Sequence, residues 1–237
     1  MEYYTYLYRK KYKSIKKLEI MPNWISNILT INASDEVVAK IKAEVKTEKN
    51  DFDFETIISV PTELDGQEGH QWRLDNWGTK WNSSEVYNFD NVFAFDTAWS
   101  TPFELMLNLS KKYFDVEFNV RFSDEDFGYN VGEYTLLNGI ETFVNLPDGG
   151  TKEAYEMALD IQGDDYYLTD SLCELYEMNT YAETMIEIAY SRKFYPFEDC
   201  EYPNFVLDKF KELSLADENY ELLIVIQKEL DKIAEEN

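Results

Sequence analysis

VFAFDTAWSTPFELMLNLSKKYFDVEFNVRF, residues 92–122, is the stretch whose reading decides the fold. Residues 92–99 are a β-rich run of valine, aromatics and threonine, which predicts a strand. Thr101 with Glu104 then has the spacing of a capping box. Pro102 falls at the first helical position, where its missing N–H costs little. Phe103, Met106, Leu107 and Leu109 supply the buried side of that helix. Residues 116–122 alternate apolar and polar, so a second strand is predicted with one face on the core and the other on solvent.

The same logic extends upstream. Ile28, Leu29 and Ile31 suit a short strand. Ser34 stands where a helix cap belongs, with Asp35 and Glu36 in the first turn, where negative charge suits the helix dipole. Val38, Ile41 and Val45 follow at helical spacing. Phe52, Phe54, Ile57, Ile58 and Val60 then form an apolar, β-rich run stopped by Pro61, which predicts a strand that closes a β-α-β unit. Residues 62–90 read as a long connection holding Asp65-Gly66, His70, Trp72, Trp77 and Trp81. Downstream, Asn138-Gly139 separates residues 134–137 from 140–144, a strong hairpin signal. The order predicts an α+β protein: a ferredoxin-like split β-α-β antiparallel sheet with helices on one face and an added hairpin.

Pro147-Asp-Gly-Gly150 marks a boundary, beyond which the chain reads mostly helical. Thr151 caps a helix bearing Ala154, Met157, Ala158 and Ile161, ended by Gly163. Leu168, Leu172 and Leu175 suggest another, and Asn204 caps one with Val206, Phe210 and Leu213. Leu222, Leu223, Ile226, Leu230 and Ile233 form the stripe of the last. Residues 185–195 fit helix or strand. Residues 1–20 are a basic arm: Arg9, Lys10, Lys11, Lys13, Lys16 and Lys17 oppose Glu2 and Glu19, and Tyr4, Tyr6 and Tyr8 alternate. The arm reads as a partner contact, as a tail folded on its own acidic surface, or as an upstream extension of a chain starting at Met21. The expected organisation is therefore an arm over 1–20, a ferredoxin-like domain over 21–150, and an acidic helical region over 151–237 packing on it.

Composition bounds the function. The 237 residues carry 47 acidic and 22 basic side chains, a formal charge of −25. Such a surface repels phosphate backbones and anionic membranes, so direct nucleic-acid or membrane binding is not expected. A basic protein is its natural complement, although acidity also serves plain solubility. One histidine, His70, and two cysteines, Cys173 and Cys200, are too few for a Cys/His metal site or a disulfide framework. No bilayer-length apolar run and no signal peptide are visible, so the cytoplasm is the expected compartment. The glycines form no phosphate loop, no nucleophile elbow surrounds a serine, and no cofactor is expected.

Met21-Pro-Asn-Trp24 with Ser26-Asn27 and Leu29-Thr30, then residues 76–81 (NWGTKW) and 95–102 (FDTAWSTP), resemble the YubB-type ferredoxin-like family over residues 21–163. The resemblance implies a ferredoxin-like topology without an iron–sulfur cluster, and a setting in a phage, plasmid or conjugative element. It supplies no catalytic residues. The basic arm and the helical tail lie outside it.

Two surfaces are candidate sites. Asn76, Trp77, Thr79, Lys80, Trp81, Asp96, Trp99 and Ser100 could line a pocket in which indoles stack a ligand or base and Lys80 meets a phosphate. The alternative has the indoles pinning the long loop to the sheet, with Lys80 paired to Asp96. The second is an acidic row, Asp164, Asp165, Asp170, Glu174, Glu177, Glu183 and Glu187, which could imitate the charge of a nucleic-acid backbone, or simply be a solvated helix face. The runs at Asp124-Glu125-Asp126, Asp164-Asp165 and Asp199/Glu201 read as chance in so acidic a chain. The expected function is that of a non-enzymatic accessory protein of a mobile element. It would bind a basic host protein, such as a nucleic-acid-binding defence enzyme, with a nucleotide or small-molecule module as the alternative.

Overall fold

The computed structural model describes residues 22–173, 175, 177–195 and 204–236, and only the backbone at 164–167, 170 and 233–236. The basic arm and Glu174 therefore lie outside the described residues. The chain divides into two compact units, one ending at Gln162 and the next beginning at Gly163.

The first unit runs β1 (Trp24–Asn32), α1 (Asp35–Val45), a 3-10 turn (Phe54–Thr56), α2 (Gly66–Trp77), β2 (Ser84–Phe89), β3 (Val92–Ala98), α3 (Phe103–Lys112), β4 (Glu117–Asp124), β5 (Val131–Leu137), β6 (Ile140–Asn145) and α4 (Lys152–Gln162). Its sheet has the order β2-β3-β1-β4-β5-β6, and every pairing is antiparallel. The part β2-β3-β1-β4, with α1 and α3 as crossovers, is the ferredoxin-like split β-α-β expected from the sequence.

Alternation along the strands explains the main core. Ile25, Leu29 and Ile31 of β1, Phe93 and Phe95 of β3, Phe118, Val120 and Phe122 of β4, and Tyr134 and Leu136 of β5 project to one face. There they meet Val38, Ile41 and Val45 of α1 and Leu105, Met106 and Leu109 of α3. The other face is not simply solvent, as the pattern of residues 116–122 had suggested. Helix α4 lays Ala154, Ala158 and Ile161 against Val131, Ile28 and Phe127. Its Gln162 donates to Ser123 Oγ at 2.6 Å, and Asp160 lies 3.7 Å from Arg121. Helices therefore cover both faces, and α4 belongs with the sheet although it follows the Pro147–Gly150 boundary.

Residues 52–60 are not a strand. Asp53 caps a 3-10 turn instead, its Oδ1 accepting from Glu55 N at 3.1 Å and from Asn82 Nδ2 at 2.7 Å. Thr47 Oγ1 donates to its Oδ2 at 2.9 Å. Phe52 and Phe54 are fully buried, with ring centroids 4.8 Å from Phe93 and 5.6 Å from Trp77. Their aromatic β-propensity reports burial here, not a ladder. The strand needed to complete the split motif comes from residues 84–89 instead, inside the expected long connection, which also contains α2.

The capping box is not formed either. Pro102 is the N-cap of α3, no side chain caps the helix, and Thr101 Oγ1 lies 3.2 Å from Tyr134 OH. Ser34 holds the N-cap position of α1 without a side-chain bond. The hairpin agrees with the sequence: Asn138 and Gly139 have φ of 56° and 73°, the signs a type I′ turn requires.

The second unit is helical: α5 (Asp164–Cys173), α6 (Thr180–Ser191), α7 (Asn204–Ala216) and α8 (Tyr220–Glu236). The ambiguous stretch lies largely in α6, where Ala182, Met185, Ile186 and Ala189 are buried at helical spacing and Asn179 Oδ1 accepts from Ala182 N at 2.9 Å. Val206, Leu207 and Phe210 of α7 and Leu222 and Ile226 of α8 are buried as well. No helix among the described residues is long and apolar enough to cross a membrane.

Candidate functional site

The eight residues of the tryptophan blocks separate into three environments. Trp77, at the end of α2, is 1% exposed. Its Nε1 donates to Ile58 O at 2.9 Å, and its ring meets Phe54 and Trp72 edge-on. Asn76 donates back to Trp72 O at 2.8 Å. Gly78 ends the helix at φ 79°, which lets the chain reverse. The buried Thr79 hydroxyl then donates to Ala98 O at 2.9 Å, and Ser100 Oγ donates to Gly78 O. These side chains fasten the loop to the end of β3 and spend their hydrogen-bonding groups on the backbone.

Asp96 points the other way. Strand alternation puts it opposite Phe93 and Phe95, on the sheet face away from the main core, beside Ser26 and buried. Lys80 does not pair with it. Its Nζ lies 4.9 Å from the Trp99 ring centre and 5.6 Å from that of Trp81. Among the described residues Lys80 makes no ion pair.

What reaches the surface is a shelf of three indoles. Trp81 sits 5.9 Å from Trp24 and 5.3 Å from Trp99, and Trp99 is 38% exposed. Trp99 holds φ 66°, and its N–H donates to Asn23 O at 2.8 Å. A bulky residue in the left-handed region is strained, so the surrounding bonds must hold it there. Trp24 was absent from the sequence-based site. Its register opposite Ala98, next to Trp99, brings it in, and pairing across strands is not visible in a linear motif.

The acidic row is only partly described. The side chains of Asp164, Asp165 and Asp170 lie outside the described residues, as does Glu174. Glu177 is exposed and Glu187 half-buried. Glu183 is engaged: Lys209 reaches it at 3.2 Å and Glu212 at 3.3 Å, and both carboxylates raise the lysine's pKa. Asp124 is structural. It accepts from Asp126 N at 2.9 Å and from Asn130 Nδ2 at 3.0 Å, shaping the β4–β5 turn. His70 is half-exposed on α2. No group of three or more metal-ligating side chains occurs among the described residues. An open groove of about 430 Å³ lies elsewhere, between residues 46–51 and Ser83, Glu85 and Val86, and touches none of the tryptophans.

Comparison with known proteins gives a fold. Residues 76–164 match the family model described as the ferredoxin-like domain in Api92-like protein, a domain of unknown function. A solved structure, protein api92 from Yersinia pseudotuberculosis, is similar at 18% identity with a TM-score of 0.33, over 42% of this chain. The match spans 40% of that protein, well under two thirds of its length. No curated protein matches the chain.

Proposed function

We propose that the protein is a non-enzymatic accessory protein of a phage or other mobile element, acting in the cytoplasm by binding a basic host protein through its acidic surface. A counter-defence role, in which carboxylates stand in for the phosphates of a nucleic acid in a host enzyme's groove, is the specific form of the proposal. The observation that carries it is the placement of charge. Among the described side chains only two carboxylates, Asp96 and Asp124, are buried, and all the others are exposed or half-exposed. Few described cations neutralise them, and outward charge of one sign steers oppositely charged proteins. The mobile-element setting rests on the resemblance of the motifs at 21–30, 76–81 and 95–102. The test is capture from bacterial lysate on the immobilised chain with DNA as competitor. Basic nucleic-acid-binding proteins should be retained and then displaced by DNA. Retention that DNA leaves unchanged overturns the mimicry.

A second reading, a nucleotide or small-molecule module, is favoured by the indole shelf. Lys80 over Trp81 and Trp99 suits an anionic ligand with an aromatic plane, held by stacking and by the cation. The site is a shelf and not a pocket, which favours weak binding. Quenching of tryptophan fluorescence by a nucleotide panel, lost in Trp99→Ala, would support it. Quenching equal in both proteins would refute it.

A further inference from the structure

A covalent bond runs inside the second unit. Cys173, the last residue of α5, is disulfide-bonded, and no cysteine among the described residues is free. The chain has only two cysteines, so the partner is Cys200, which stands shortly before α7 begins at Asn204. The bond ties the end of α5 to the approach to α7. It closes a loop over residues 174–199, and that loop contains α6. Helix α6 packs on α5 and on α7. Leu172 and Leu175, on either side of Cys173, are buried, and Lys209 of α7 reaches Glu183 of α6 at 3.2 Å. The bond therefore encloses helices that meet in the core of the unit.

Size makes this bond matter. The unit begins at Gly163 and holds fewer than about 80 residues, a length at which one hydrophobic core supplies little net stability. Part of that core is small, since Ala182 and Ala189 are among the buried residues of α6. Closing a loop of 26 residues takes freedom from the unfolded chain and raises the folding equilibrium by roughly two to three orders of magnitude. A gain of that order is comparable with the whole margin of so small a unit.

We infer that the Cys173–Cys200 bond is a redox switch on the second unit. Oxidised, its helices hold together. Reduced, the unit opens while the first unit stays folded, since the two are separate compact units. Cys173 is half-buried, so a small thiol reaches it. The reaction is exchange with a glutathione-type thiol. One thiolate attacks a sulfur of the bond, forming a mixed disulfide and releasing one cysteine. A second thiolate attacks the mixed disulfide, which frees the other cysteine and leaves the reductant as its own disulfide. Two electrons pass to the protein, and each cysteine takes up a proton. An oxidised glutathione-type disulfide reverses these steps. A permanent bond belongs to an oxidising compartment, whereas in the cytoplasm the same bond follows the thiol pool. Glu174, Glu177, Glu183 and Glu187 of the acidic row lie inside the loop, so the switch governs how that row is displayed. This last consequence rests on the proposed function, and the effect on folding does not.

The test uses the full chain equilibrated in glutathione buffers from fully oxidised to fully reduced. Alkylation and mass spectrometry count the thiols, and amide exchange reports folding segment by segment. Two thiols should appear together as the buffer becomes reducing. Exchange over 180–191 and 204–216 should then quicken by about a hundredfold or more, while 92–98 and 117–124 stay protected. Cys173→Ser should show the fast exchange in every buffer, and if that variant fails to fold at all, the titration of the parent chain decides. Thiols that stay free under excess oxidised glutathione overturn the inference. So does a bond whose reduction leaves exchange over 180–191 unchanged, or a Cys173→Ser chain whose exchange still follows the buffer. Capture of basic proteins is not read in this experiment, so the acidic-surface proposal and the switch fail separately.

Discussion

Trp77 and Trp99 belong to neighbouring motifs yet do different work. Trp77 is sealed between Phe54, Trp72 and the Ile58 carbonyl, and Trp99 lies open beside Lys80. Trp77→Ala should therefore cost about 3–5 kcal/mol in denaturant unfolding, the range for losing a buried aromatic. Trp99→Ala should stay within about 1 kcal/mol, because a partly exposed ring and a cation–π contact contribute little. Glu44 supplies a pH dependence. Tyr113 OH donates to it at 2.6 Å and Lys112 lies 3.0 Å away, and the tyrosine bond, then the lysine, hold its carboxyl below the usual glutamate range. A depressed folded pKa means stability present above the ordinary value and lost as pH falls through the depressed one. Thermal midpoints across the acid range should show Tyr113→Phe less stable than the parent near neutrality, with the gap narrowing as Glu44 protonates. A gap constant with pH would place the loss in packing instead.

Among the elements, those with strong local chemistry were legible and those built by long-range bonds were not. The Asn138-Gly139 turn, the helix over 35–45 and the strands of residues 92–98 and 117–124 follow from turn residues and periodicity. Helix α2 buries only Gly69 and Trp77, so it has no apolar stripe to read, and it is set by Asp65 at one end and Gly78 at the other. The strand expected over 52–60 fails because Asp53, Thr47 and Asn82 offer the backbone a better set of bonds than a ladder would. For the candidate site, the sequence grouped residues by proximity in the chain. The sheet sends Asp96 to one face and opens Trp99 at the other side of the loop, and cross-strand register recruits Trp24. The glycines of α2 give a test at this scale. A Cβ on Gly78 would sit 3.1 Å from Phe103 N at φ 79°, while one on Gly66, at φ 53°, meets nothing within 4 Å. Gly66→Ala should cost about 1–2 kcal/mol from strain alone, and Gly78→Ala measurably more, by equilibrium unfolding. Equal losses would mean that the α2–α3 approach is loose.

Over the whole molecule, the ferredoxin-like sheet sets where charge and apolar surface emerge. Its core takes Phe52, Phe54, Trp77, Phe93, Phe95 and Phe118, Asp96 and Asp124 are the buried carboxylates among the described side chains, and the other described acids are exposed or half-exposed. An excess of carboxylates turned to water, on a scaffold that also presents an indole shelf, is the physical basis of the proposed binding to a cationic protein. Neutralising exposed acids of the first unit, Glu63, Glu68 and Asp75 to their amides, should lower capture of that partner and leave unfolding midpoints nearly unchanged. The most direct measurement is a salt gradient on the immobilised chain loaded with bacterial lysate. Retained proteins should be predominantly basic and should elute steeply as ionic strength rises. Retention of neutral or acidic proteins, or elution indifferent to salt, would contradict the account.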